Sequence, residues 1–187
     1  MIAQVRPACD PVALRGARPE DCEAIWRWNS APATPARSRR AELVAFVEHE
    51  RWFARRLADG DAPIWVVEAV IEAVIDAVVE APIEAPIEVP IEAVTGTDHR
   101  PVGMVRLDRP TAIERGRARI SIALAAQARG RGIDRAAIAA ACRAWHRPVA
   151  AEIFASDREG RACFEACGFR AVAVEAGLLI YHWDPET

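Results

Sequence analysis

The sequence predicts a mixed α/β domain on a central sheet of about seven strands, with four helices. Three observations carry that expectation. Apolar residues are 52% of the 187-residue chain and charged ones 27%, enough to bury a core and too apolar for wholesale disorder. Stretches of alternating polarity recur among stretches of helical period, in the order β-α-α-β-β-β-α-β-α-β-β. Three consecutive strands without a helix between them read as an antiparallel meander.

Taken in order, residues 12–15 form a short apolar strand before a turn. Arg18-Pro19-Glu20-Asp21 then opens a helix that runs to about Trp28. Proline presets its first turn and the acids favour the positive end of the dipole. Residues 30–40, with two prolines and three arginines, read as a loop. Residues 41–58 place Leu43, Phe46, Val47, Phe53 and Leu57 at helical spacing and stop at Asp59-Gly60. Strands follow at 64–67, 101–107 and 117–124, the last alternating Arg119, Ser121 and Ala123 with Ile120, Ile122 and Leu124. An Ala-rich helix spans 133–145, then a strand at 149–155, a helix at 158–167 ended by Gly168, and strands at 169–175 and 178–183.

Charge is unevenly spread. The net charge is −3, yet residues 68–99 hold eight acids and no arginine, which leaves 24 basic and 19 acidic residues elsewhere, a body of +5. Such a body suits an anionic small molecule better than a nucleic-acid backbone. The acidic stretch is a Glu-Ala-(Val/Pro)-Ile repeat over about 68–92. Pro82, Pro86 and Pro90 exclude a helix interior, so it reads as an extended, poorly ordered excursion, with a lengthened hairpin as the alternative. It is a low-complexity insert (68–99) between the second and third strands of a single domain (1–187). In a meander it lies at the end where the fourth strand exits.

The five cysteines have no zinc spacing and read as reduced thiols, and no metal is expected. Residues 1–11 lack a cationic start followed by an apolar run, and no segment approaches the roughly 20 apolar residues of a bilayer span. A cytoplasmic protein without membrane or nucleic-acid partners, monomeric or homodimeric, is the expectation.

The chemistry concentrates after the fourth strand, in Leu124-Ala125-Ala126-Gln127-Ala128-Arg129-Gly130-Arg131-Gly132-Ile133. A strand entering a Gly- and Arg-rich turn that opens a helix offers close backbone approach, outward N–H groups and a dipole favouring an anion. This is the chemistry of a pyrophosphate cradle; the turn alone leaves open a plain glycine turn with solvated arginines. Further on, Glu152-Ile153-Phe154-Ala155-Ser156-Asp157 leads from strand to helix, and that helix ends in Gly168-Phe169.

Together the two stretches resemble the GCN5-related N-acetyltransferase (GNAT) family, over about residues 12–183 without the repeat. The resemblance implies acetyl-coenzyme A as co-substrate, its diphosphate held by Gln127, Ala128, Arg129, Gly130, Arg131, Gly132 and Ile133. It implies a splay between strands 4 and 5, with backbone groups of Ile122, Ala123 and Leu124 pairing with the pantetheine arm. Asp157 stands where the family usually has a coenzyme-bonding Asn, and Phe164 where many relatives have a Tyr that protonates the departing thiolate. Asp134 replaces a common glycine.

Glu152 is the first candidate general base. It matches a catalytic Glu in the ribosomal-protein N-terminal branch, and apolar strand neighbours would raise its pKa by burial. A half-exposed strand carboxylate is the plain alternative. His49, on the helix bordering the acceptor groove, is the second candidate, against a solvated histidine. For the acceptor, Trp26-Arg27-Trp28-Asn29-Ser30-Ala31-Pro32 and His49-Glu50-Arg51-Trp52-Phe53 resemble the nucleotide-sugar acetyltransferases of the pseudaminic acid type. That resemblance implies Trp28, Asn29, Arg37 and Trp52 as acceptor-binding residues and the 4-amino group of a UDP-linked deoxysugar as acceptor. A protein N-terminus, a small amine, or a non-catalytic acyl-coenzyme A-binding role are the alternatives.

Overall fold

The computed structural model describes residues 12–31, 44–70, 99–110 and 116–185. Among them lie β1 (Val12–Gly16), α1 (Cys22–Ser30), α2 (Phe46–Leu57), β2 (Ile64–Val70), β3 (His99–Asp108) and β4 (Ala118–Leu124). There follow α3 (Ile133–Trp145), β5 (Val149–Phe154), α4 (Arg158–Ala166), β6 (Arg170–Glu175) and β7 (Leu178–Trp183). The element order is the one expected, and the seven strands form one sheet ordered β1-β2-β3-β4-β5-β7-β6. Every strand pair is antiparallel except β4 with β5.

The first helix, expected over 19–28, begins as a 3-10 turn at Pro19–Asp21 and is α-helical over Cys22–Ser30. Two further boundaries differ from expectation for physical reasons. The second helix starts at Phe46, not at 41, because Ala45 is extended (φ −59°, ψ 142°) and the Val44 carbonyl accepts from Trp26 Nε1 at 2.8 Å. Strand β2 continues through Glu68-Ala69-Val70, the first residues of the repeat, pairing with β3 from its start at His99. Glu68 is held there by Arg15 Nε at 2.7 Å. Arg15 also binds Asp21 at 2.7 and 2.8 Å, fastening the entrance of α1 to the sheet and holding the Asp21 carboxyl below the usual carboxylate range. The remainder of the repeat, 71–98, lies outside the described residues. Its two ends, Val70 and His99, pair at the same end of the sheet as the exit of β4.

Period-two alternation sends side chains to both faces of the sheet. Val105, Leu107, Ile120, Leu124, Ala151 and Ile153 pack with Ile133, Ala137, Ile138 and Phe164 of α3 and α4. Ile64, Val66, Met104 and Ala123 pack with Ile25 of α1 and Phe53 of α2. Each large apolar side chain so buried contributes about 1.5–3 kcal/mol. Ala137 and Ala141, both fully buried, fill the face of α3 that packs into this core.

The feature that matters most is where pairing stops. Strands β4 and β5 share only two register pairs, Ala118 with Val149 and Arg119 with Ala150, although they run for seven and six residues. Beyond those pairs the strands part, as the sequence resemblance implied. On its other side β4 stays paired with β3 to Leu124, opposite Gly103. A Cβ at Gly103 would stand 2.5 Å from the Ala123 carbonyl oxygen and collide with Leu124 Cδ2. Glycine is therefore what lets β3 hold β4 in its diverging path. Gly103→Ala should cost about 1–3 kcal/mol, the usual penalty for overpacking. In a chain of this size that lowers Tm by about 2–12 °C. Calorimetry checks it, and an unchanged Tm would contradict this role.

Candidate active site at the fork between β4 and β5

The open end of the fork leads into the glycine turn. After β4 the chain makes one 3-10 turn, Ala126–Ala128, closed by Ala128 N–H on the Ala125 carbonyl and Arg129 N–H on the Ala126 carbonyl. Gly130 (φ +70°) and Gly132 (φ +74°) then adopt left-handed backbone, which other residues reach only at a cost of about 1–2 kcal/mol. An added Cβ at either position would meet nothing within 4 Å, so the turn is open on its outer side. Gly132 is the N-cap of α3; the Ile133 and Asp134 N–H groups have no carbonyl behind them, Arg135 N–H donates to Asp134 Oδ1 at 2.9 Å, and Ala136 N–H begins the helical ladder on the Gly132 carbonyl. The turn thus presents an exposed strip of backbone with a helix dipole behind it. Backbone N–H groups and a helix dipole of this kind favour an anion.

The cofactor-site candidates divide by position. Gln127, Gly130, Arg131 and Gly132 are exposed, whereas Ala128 and Ile133 are buried and anchor the turn. Arg129 folds inward, donating from Nε and Nη2 to the Leu124 carbonyl at 3.2 and 3.1 Å. That tie pins the strand-to-turn junction. The register also sorts the backbone of β4. Ala125 N–H reaches the Val102 carbonyl at 2.8 Å, so Ala123 points its polar groups at β3 while those of Ile122 and Leu124 face the fork. Of the three residues expected to pair with a pantetheine arm, Ala123 is on the wrong side of the strand, and the Leu124 oxygen already accepts from Arg129.

Asp157 caps α4: its Oδ1 accepts from Gly160 N–H at 3.0 Å. Gly160 leaves room for that carboxylate, since a Cβ there would lie 2.5 Å from Asp157 Oδ2. Phe164 is 8% exposed and meets Phe169 edge-on, centroids 5.0 Å apart, so its ring belongs to the core.

Glu152 stands two residues past the last β4–β5 pair, on the side of the sheet facing α1 and α2. Its side chain is only 6% exposed, and Arg119 Nη1 lies 3.5 Å from its Oε2. The isolated carboxylate among apolar neighbours expected from sequence is therefore corrected: a guanidinium faces it. His49, expected on a solvated or groove-lining face, is 5% exposed. Its Nε2 lies 3.1 Å from the Cys22 carbonyl, and because a carbonyl only accepts, Nε2 carries the proton and donates. The ring stacks on Phe53, and burial pushes its pKa down. His49 locks α2 onto α1 as a neutral imidazole.

Of the acceptor candidates, Trp28 packs against the α1/α2 cluster and Asn29 Nδ2 donates to the Ile25 carbonyl on its own helix at 3.0 Å. Arg37 lies outside the described residues. Trp52 does reach the site: Arg106 and Arg56 place their guanidinium carbons 5.3 and 5.8 Å from its ring centroid. The sequence reading missed Arg56, Arg106, Asp108 and Arg119 as a group. For Arg106, Asp108 and Arg119 the signal was charge at alternate positions of the central strands β3 and β4; Arg56, on α2, gave none.

Two surface depressions, of about 450 and 520 Å³, open near Trp183 and near Trp145. Both lie at the closed end of the fork, away from the glycine turn, so the backbone geometry and not these depressions locates the candidate site. Among the described residues no cluster of His, Cys, Asp or Glu could hold a metal, and no helix is long and apolar enough to cross a membrane.

A seven-stranded mixed sheet, parallel only at a β4–β5 fork and flanked by four helices among the described residues, is the fold of the GCN5-related N-acetyltransferases. Neither a protein-family model nor a curated protein matches the sequence. Solved structures do. A domain from Methanocaldococcus jannaschii DSM 2661 superimposes with TM-score 0.67 at 16% identity, covering 92% of this chain and 97% of that one. Spermidine N-acetyltransferase from Vibrio cholerae, in complex with CoA and spermine, gives 0.64 at 16% identity over 92% and 93%. Ribosomal-protein-alanine N-acetyltransferase from Brucella melitensis gives 0.60 at 19% identity over 92% and 99%. At these identities the likeness is one of fold.

Proposed function

We propose that the chain is an acetyl-coenzyme A-dependent N-acetyltransferase of the GCN5-related kind, acting on a primary amine. The observation that carries this reading is the β4–β5 fork with the Gly130–Gly132 turn at its open end. Solved neighbours of the same fold bear N-acetyltransferase names, and one holds CoA.

In this reading the N–H groups from Gly130 to Ile133 bind the diphosphate of the coenzyme, and Arg131 adds a charge-assisted contact. Ile122 and Leu124 offer N–H groups towards the fork, where one faces the thioester oxygen and stabilises the charge that develops there. Glu152, across the fork, accepts a proton from the incoming ammonium, and Arg119 holds its carboxylate in place. The thioester is itself activated, so positioning supplies much of the remaining acceleration. Phe164 has no proton to give, so solvent protonates the departing thiolate. The finer reading is the 4-amino group of a UDP-linked deoxysugar, favoured by an aromatic ring at Trp52 beside two guanidiniums, which suit a base and a diphosphate.

The core placement of Phe164 and the capping role of Asp157 favour a second reading, a non-catalytic acyl-coenzyme A-binding module. One experiment separates the two. At 100-fold excess over Kd, coenzyme A should stabilise the protein by about 2.7 kcal/mol. That raises Tm by about 5–11 °C. Acetyl-coenzyme A with a panel of amines should then release free thiol. Stabilisation without turnover on any amine would select the binding module, and no stabilisation would refute both.

A further inference from the structure

Helix α4 ends in a pair of thiols that the proposed acyl transfer does not use. Cys163 stands in its last turn and Cys167 caps it, four positions on and so on the same helical face. Both are half-buried, packed against the core on the α3 side of the sheet and still open to solvent. The Cys163 thiol lies within hydrogen-bond reach of the Cys167 sulfur and of the Asp134 carboxylate. The Cys167 thiol donates to the Arg135 carbonyl at 3.5 Å. Asp134 and Arg135 belong to the first turn of α3, directly behind the Gly130–Gly132 turn. The two thiols therefore join the end of α4 to the start of α3, at the base of the diphosphate cradle. The other described cysteines stand apart: Cys142 is 3% exposed and burial pushes its thiol up to about 12, and burial also raises Cys22 on α1, across the sheet.

The pair is close enough to bridge, at a cost in strain. Residues four apart on an α-helix have Cα atoms about 6 Å apart, inside the range of about 4.4–6.8 Å that a disulfide spans. Their Cβ atoms stand about 5–6 Å apart, whereas a disulfide draws them to about 3.8 Å. The last turn resists that approach, because Cys167 N–H reaches the Cys163 and Phe164 carbonyls at 3.2 and 3.0 Å and Phe169 N–H reaches Phe164 at 3.1 Å. Closing the bridge thus distorts the end of α4 and pulls Cys167 off Arg135. A strained, accessible disulfide is readily reduced again, which marks a switch and not a structural staple. The hydrogen bond from Cys163 outweighs burial and, with the Arg135 charge, holds the Cys167 thiol below its usual range, so Cys167 is the nucleophile of the pair.

We infer that Cys163 and Cys167 form a reversible dithiol–disulfide site whose oxidant is a low-molecular-weight disulfide, and that its closure weakens the coenzyme cradle. The Cys167 thiolate attacks one sulfur of the small disulfide, whose S–S bond breaks, and one half leaves as a thiolate with the electron pair. Cys163 gives its proton to solvent and attacks the Cys167 sulfur, and the second thiolate leaves. Two protein thiols have then lost two electrons and two protons, and the small disulfide has become two thiols. In the closed form neither sulfur has a proton to donate, so Arg135 loses its 3.5 Å contact and Asp134 loses the Cys163 thiol. Both losses fall on the turn whose N–H groups a diphosphate needs. The effect on coenzyme rests on the acetyltransferase reading; the bridge itself does not.

The test compares the full chain treated with glutathione disulfide and with dithiothreitol. Trypsin releases residues 162–170 as one peptide carrying both cysteines, so the bridge appears as the loss of two hydrogens from that single peptide. Acetyl-coenzyme A, which has no free thiol to reduce the bridge, is the binding probe. Its Kd should rise at least threefold in the oxidised protein and recover on adding dithiothreitol. Hydrogen exchange at the Ala136 amide, which starts the α3 ladder on the Gly132 carbonyl at 3.1 Å, should quicken at least threefold in the same comparison. A Cys163→Ser/Cys167→Ser double variant should respond to the oxidant in neither measurement. A glutathione adduct that persists on Cys167, a bridge to Cys142, unchanged exchange at Ala136, or a Kd that the oxidant leaves unchanged or changes equally in the double variant, overturns the inference. Acetyl-coenzyme A binding to neither form, with the bridge made and Ala136 exchange faster, would instead overturn the coenzyme reading and leave the dithiol site standing.

Discussion

Glu152→Gln should lower kcat by about 10²- to 10⁴-fold, the range that general-base catalysis supplies, with the Kd for coenzyme A unchanged. The expectation comes from position. Glu152 is the carboxylate standing immediately past the last β4–β5 pair, its side chain is 6% exposed, and it faces Arg119 across the fork. Glutamine keeps the shape and can still meet Arg119 through its carbonyl, but it cannot take a proton from an ammonium. Loss of fold is therefore a minor concern, and circular dichroism with a coenzyme-induced Tm shift monitors it. Steady-state thiol release reads the effect. A variant retaining more than a tenth of wild-type kcat would remove Glu152 from the mechanism and leave solvent or the substrate itself as base.

The second large effect is expected at the turn. In a Gly130→Ala/Gly132→Ala double variant, both positions must hold φ near +70° with a side chain, at about 1–2 kcal/mol each. The chain relieves that strain by relaxing the turn, which rotates the N–H groups from Gly130 to Ile133 away from a common centre. Coenzyme A affinity should fall by about tenfold or more, because the diphosphate contacts depend on those donors converging. The added methyl groups meet nothing within 4 Å, so packing should not suffer. Isothermal titration checks the Kd, and an unchanged value would show that the diphosphate binds elsewhere. The two variants dissect the site: one separates chemistry from binding, the other weakens binding at the opposite end of the fork.

What could be read from the sequence was what depends on local pattern. Helix α3 and strand β7 lie where periodicity placed them, at Ile133–Trp145 and Leu178–Trp183, because each has a clear stop: His146 in left-handed backbone and the Gly132 cap for the former, the Gly177 turn for the latter. The Gly-Arg turn was legible because positive φ at Gly130 and Gly132 is a local demand that glycine answers. Long-range relations were not. Nothing local in Val105–Arg106–Leu107–Asp108 says that Asp108 will gather guanidiniums from α2 and β4, since that depends on register between strands. His49 misled for the same reason. A polar residue on an amphipathic helix reads as exposed until the Cys22 carbonyl of another helix is found 3.1 Å away. The repeat extended the strand because Glu68 found Arg15 fifty-three residues earlier, a pairing no window of sequence contains.

The central claim is that the parted strands and the glycine turn form one coenzyme site. A crystal structure of the protein with coenzyme A tests it most directly. The account predicts diphosphate oxygens about 3 Å from the N–H groups between Gly130 and Ile133, with the pantetheine arm entering between β4 and β5 alongside Ile122 and Leu124. Coenzyme bound at the depressions near Trp183 or Trp145, with β4 and β5 paired along their whole length, would contradict it.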